Sequence, residues 1–165
     1  MKNNKKNVVY AFIDSQNLNL GVRNLGWQLD FKKFRIYLED KYKVEKAFLF
    51  IGFIKGNEAL YRLLKNYGYE LVFKPTVKYN NRETKGNVDA ELVLHSVKIQ
   101  YRFYNKAIIV SGDGDFYCLH AELVKENKLL KLIVPSRKSE SSLLHRFREY
   151  KLYVEGIRNK VERKR

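Results

Sequence analysis

Short apolar runs alternate with amphipathic segments along this chain, and that alternation sets the expected architecture. Residues 8–13 form an apolar, β-branched run closed by Asp14, the pattern of a buried strand. Residues 46–53 (KAFLFIGF), 69–73, 106–110 and 129–134 repeat the pattern, the last two closed by SGDGDF and Pro135. Helical spacing fills the intervals. Phe31, Phe34 and Leu38 follow Asp30, a good N-cap. Leu60, Leu63 and Leu64 are expected to point inward from a helix over 57–67 that Gly68 ends. One long helix is expected from residue 87 to 104, with Val88, Leu92, His95 and Ile99 on one face, and another after SGDGDF to residue 127. Leu143, Leu144 and Phe147 mark a last amphipathic segment.

Strands alternating with helices predict a three-layer, doubly wound α/β domain around a mainly parallel five-stranded sheet. Residues 76–86 and 136–142 read as polar loops, the first as mobile. No repeat or Pro/Ser-rich linker divides the chain, so residues 1–157 are expected to form one domain, with 158–165 a frayed basic tail.

Composition narrows the partners. No apolar run approaches the roughly 20 residues that span a bilayer, and the basic start lacks a signal-peptide core. A cytoplasmic protein without a membrane segment is expected. The single cysteine, Cys118, rules out an internal disulfide or a cysteine zinc site; it reads as a small buried helix residue. Thirty-three Lys and Arg against eighteen Asp and Glu give a net charge of +15, the footprint of a domain that binds nucleic acid.

Against that positive background the acids stand out. In doubly wound folds the ligand crevice lies beyond the carboxyl ends of the strands, where strand order reverses. Asp14 ends the first strand, Asp113 and Asp115 follow the fourth, and Asp89 opens the long helix. If the first and fourth strands are neighbours, these carboxylates converge. Each has an ordinary alternative: Asp14 as a helix cap, Asp113 and Asp115 as turn residues, Asp89 as a charge favoured at a helix start. Crowded carboxylates raise one another's pKa and strain the fold, a cost that a hard divalent cation removes. Such a site can serve phosphodiester displacement.

Three segments in this order, FIDSQNLNL (12–20), KGNVDAELVLH (85–95) and IIVSGDGDF (108–116), resemble the NYN family, a PIN-like branch of metal-dependent ribonucleases. The resemblance implies strand order 3-2-1-4-5. It implies that Asp14, Asp89, Asp113 and Asp115 hold Mg²⁺ or Mn²⁺, with Asp14 and Asp113 as direct ligands and the other two acting through waters or orienting the ligands from behind. It further implies that Asn17 orients the first acid, that Ser111 bonds to Asp14, that Lys85 contacts phosphate, and that RNA is hydrolysed to 5′-phosphate and 3′-hydroxyl ends. Related sequences often carry an acid near His95, which here reads as a packed core histidine, while His120 and His145 read as ordinary helix residues. Lys74, Lys78, Arg82, Arg137 and Lys138 lie on loops able to track a phosphate backbone, and Tyr79 could stack on a base. A homodimer is an expectation from the frequency of two-fold assembly.

Three other readings are open at the level of sequence. A haloacid-dehalogenase-type phosphatase needs a second acid two residues after its nucleophilic Asp; here that position is Gln16. A catalytically weak RNA- or protein-binding adaptor would share the fold, and a merely polyanion-binding domain would leave the acids unexplained.

Overall fold

The structure is a computed structural model and describes residues 6–74, 77–79, 82–84 and 88–164. Its centre is a parallel sheet built from β1 (Val9–Asp14), β2 (Val44–Gly52), β3 (Tyr69–Lys74), β6 (Lys106–Val110), β7 (Leu129–Val134) and β8 (Lys151–Tyr153). The order is β3-β2-β1-β6-β7-β8, so the strands numbered first and fourth from sequence are indeed adjacent. The sixth strand is the correction to the expected five: β8 pairs with β7 from Leu132↔Lys151 to Val134↔Tyr153. With three residues it is too short to show a period.

Alternation across the pleat divides the core. Val9, Ala11 and Ile13 face one apolar layer with Leu18, Val22, Phe34 and Leu38; Tyr10 and Phe12 face the other with Leu92, Phe116 and Leu123. The first layer is closed by α1 (Ser15–Arg23), α2 (Phe31–Tyr42) and α3 (Glu58–Asn66); the second by α4 (Asp89–Leu94) and α5 (Tyr117–Lys125). β1 is buried at every position, as a central parallel strand covered on both faces must be.

Several segments depart from the sequence reading. The expected helix over 87–104 is three pieces: α4, a π-helical turn (His95–Ile99) and a 3₁₀ turn (Tyr101–Phe103). The hydroxyl of Ser96 donates to Leu92 O (2.9 Å) and Val93 O (3.0 Å), competing for carbonyls of the helical ladder. The rotation leaves Ile99 exposed. In α3 the buried residues are Tyr61 and Leu64, while Leu60 and Leu63 are exposed at 45% and 44%. Part of the expected loop over 76–86 is an antiparallel pair, β4 (Val77–Tyr79) with β5 (Arg82–Thr84). Part of the expected tail forms regular structure: α6 (Arg158–Val161) buries Val161, and Leu29 bridges to Glu162. Cys118 is exposed, because α5 presents Leu119, His120 and Leu123 to the core instead.

Candidate metal centre

β1 delivers Asp14 to the carboxyl edge of the sheet, and the residue serves two purposes there. Its Oδ1 accepts from the Asn17 N–H at 3.2 Å, capping α1. Its Oδ2 accepts from the Ser111 hydroxyl at 3.4 Å, at the end of β6. Asp14 is only 5% exposed. Burial pushes its carboxyl up to about 6; the Asn17 N–H opposes the rise, the charges of Asp89 and Asp113 add to it, and the Ser111 hydroxyl again opposes it.

The β6 end is tied down by the same side chains. Asn17 Oδ1 accepts from the Gly112 N–H at 2.8 Å, the Asp113 N–H donates to Ser111 Oγ at 3.1 Å, and the Asp115 N–H donates to Asp113 Oδ1 at 2.9 Å. Asp113 thus caps the short turn Gly114–Phe116. Gly114 is needed there by close approach: a Cβ would lie 2.3 Å from Ser141 Oγ and 2.9 Å from Ser141 Cβ. Gly21 is equally constrained, since a Cβ would meet Pro135 Cβ at 2.5 Å.

Asp89 opens α4 on the opposite side of the crevice. Carboxylate oxygens of Asp89, Asp113 and Asp115 all lie within 4.8 Å of one another. Asp14, which feels the charges of Asp89 and Asp113, is the deeper fourth acid and not a member of that close group. Asp14, Asn17, Leu20, Gly21, Val88, Asp89 and Asp113 line a cleft of about 500 Å³. A larger depression of about 730 Å³ lies elsewhere, between Trp27, Arg158 and Arg163, without an acidic cluster.

The loop after β7 forms the cleft's other lip. Ser139 lines it, and Arg137 and Lys138 are exposed beside it. The Arg137 N–H donates to Glu155 Oε1 at 2.8 Å, and its guanidinium sits 4.7 Å from the Tyr153 ring centroid. A buried ion pair between Glu140 and Lys151 anchors the loop, with the Tyr153 hydroxyl donating to Glu140 Oε2 at 2.8 Å. Sequence reasoning missed this anchor, since nothing local links residues 140 and 151. It also missed Gln16, Leu20 and Asn24 as cleft-lining residues; their helical spacing from the Asp14 cap was the available signal.

The remaining expected residues are distributed as follows. Lys74 ends β3. Lys78 and Tyr79 lie in β4 and Arg82 in β5, while Lys85 falls outside the described residues. His95 packs its ring against Phe50 (5.4 Å between centroids) and Phe48 (6.3 Å), with Nε2 3.9 Å from Glu91. His120, on α5, is more than an ordinary helix residue: it is fully buried, both ring nitrogens lack a partner among the described residues, and burial lowers its pKa to about 4.

The parallel sheet gathers acids at the carboxyl edge of its adjacent central strands, and the match of a family profile puts the chain in the PIN-like nuclease class. Within that class the chain belongs to the NYN domain family, whose profile matches residues 8–155. A solved structure of a Vibrio parahaemolyticus protein of unknown function superimposes with a TM-score of 0.75 at 22% identity, covering 93% of this chain and 96% of that one. That likeness concerns the fold. No curated protein matches the chain significantly.

Proposed function

We propose that the protein is a metal-dependent ribonuclease acting on single-stranded RNA. The reading is carried by one observation: three carboxylates whose oxygens approach within 4.8 Å, beside the buried Asp14, in a chain of net charge +15. The donor set is all carboxylate oxygen, which suits Mg²⁺ or Mn²⁺ and not soft metals. Asp89, Asp113 and Asp115 would hold the ion, and Asp14 would add charge from the floor of the cleft. Bound there, such an ion supplies Lewis-acid polarisation of the phosphate and an activated water.

The chain's own groups do the rest. Ser111 and Asn17 fix Asp14 and join α1 to the turn carrying Asp113. The Glu140–Lys151 pair holds the lip on which Arg137 and Lys138 meet phosphate charge. Labelled single-stranded RNA and matched DNA, incubated with Mg²⁺, Mn²⁺ or EDTA, test the reading. Cleavage of RNA that needs metal, and that falls at least about 100-fold in Asp113→Asn, is the expected result. Tight RNA binding with no cleavage under either metal overturns it and favours an adaptor.

A further inference from the structure

The strand that neighbours Asp14 continues past it to Gly52, and the loop that follows opens with an exposed aromatic group that the acidic centre does not use. Asp14 pairs in register with Phe50, and Phe53 follows three residues later, about 10 Å of chain at a strand's rise. Phe53 is 40% exposed, an unusual placement for a residue of this size in a protein whose other phenylalanines mostly fill the core. It is held in place. Its ring lies 5.6 Å from Phe73 at 85° and 5.8 Å from Tyr61 at 33°, and Tyr61 packs on Phe73 at 4.8 Å. The Tyr61 hydroxyl accepts from the Ile54 N–H at 2.8 Å and so pins the loop that carries Phe53. Leu60 and Leu63 on α3 are exposed. Cations are close in the chain and in register: Lys55 follows in the loop, Arg62 adjoins Tyr61, and Lys74 is the register partner of Gly52, while Glu58, the carboxylate at the start of α3, is engaged by the Gly56 N–H.

Between α1 and α3 lies a depression of about 340 Å³, lined by Ser15, the chain neighbour of Asp14, together with Asn19, Ile51 and Leu60. From these observations we infer that Phe53, supported by Tyr61 and Phe73, is a stacking platform for a base of the RNA strand whose backbone crosses the aspartate cluster. A pinned aromatic ring flanked by lysine and arginine offers a base a π-face and the phosphates a counter-charge, which is how single-stranded nucleic acid is held without sequence readout. The inference rests on the ribonuclease reading for the course of the strand, but its test does not depend on cleavage.

The test measures anisotropy of a short fluorescein-labelled oligouridylate, kept intact in EDTA, and of a ribose-phosphate oligomer of equal length without bases. Phe53→Ala weakens oligouridylate binding about tenfold, the effect of losing one stacked base. Phe53→Trp retains it, and binding of the baseless oligomer is the same for all three proteins. Equal oligouridylate binding by wild type and Phe53→Ala overturns the platform. So does an equal loss with the baseless oligomer. Self-association that Phe53→Ala abolishes while RNA affinity stays constant also overturns it, and assigns the surface to a second copy of the chain. Adding Mg²⁺ or Mn²⁺ separates the two readings: a Phe53-dependent complex that is never cut sinks the nuclease alone, and cutting without a Phe53 effect sinks the platform alone.

Discussion

Asp14 and His120 are buried groups whose titrations pull stability in opposite directions. Asp14 has its folded pKa raised from 3.8 to about 6, so its contribution is fully present below pH 3.8 and is lost as pH rises through 6. His120 has its folded pKa lowered from 6.5 to about 4, so its contribution is present above pH 6.5 and is lost as pH falls through 4. Each is worth on the order of 3 kcal/mol across its window. In metal-free wild type the two nearly cancel between pH 4 and 6. In Asp14→Asn, which keeps a good capping residue, stability should climb with pH through that window. In His120→Leu it should fall, and at neutral pH this variant should be more stable by about 1 kcal/mol, because two unpartnered nitrogens leave the core. Urea unfolding of the three proteins in EDTA across pH 4–7 checks all of this; identical pH profiles would refute it.

At the scale of elements, the loop after β7 is held by contacts that other segments provide. Lys151 lies on β8 and closes a buried pair with Glu140. Removing one partner leaves an uncompensated buried charge, so Lys151→Met should cost about 3–5 kcal/mol. Replacing both residues with apolar ones of similar volume should restore most of that stability, as a thermal-melt comparison would show. Gly114→Ala forces the turn bearing Asp113 away from Ser141. It should cost about 1–3 kcal/mol and weaken Mn²⁺ binding, read by electron paramagnetic resonance, more than it weakens RNA binding. Local pattern explains where the sequence reading held and failed at this scale. The apolar runs of β1, β2, β6 and β7 are long and bounded by acids, Gly or Pro. The break in the helix at His95–Ile99 comes from Ser96 competing for two carbonyls, which hydrophobic periodicity does not register. The inward expectation for Leu60 and Leu63 failed because α3 turns Tyr61 and Leu64 to the sheet.

For the whole molecule, a net charge of +15 makes RNA affinity strongly salt-dependent. Three or more cation–phosphate contacts give a slope of log affinity against log salt of about −2 or steeper for a single strand. Titrations in EDTA from low to high salt measure it, and a flat response would remove the electrostatic argument for RNA. Among the described residues no helix is long and apolar enough to cross a membrane.

The sequence by itself determined the alternating α/β plan, the parallel sheet and the presence of acids at strand ends and a helix start, because strand and helix periods and capping chemistry are local. It also supported adjacency of β1 and β6 through the resemblance of three segments to one family. Only the tertiary structure decided which carboxylates approach one another. That grouping, with Asp14 beneath Asp89, Asp113 and Asp115, depends on how Asn17 and Ser111 tie α1 to the β6 turn. Likewise the sixth strand, the packed terminal helix, the buried His120 and the exposed Phe53 all follow from contacts between residues distant in the chain, where packing and desolvation outweigh any local preference.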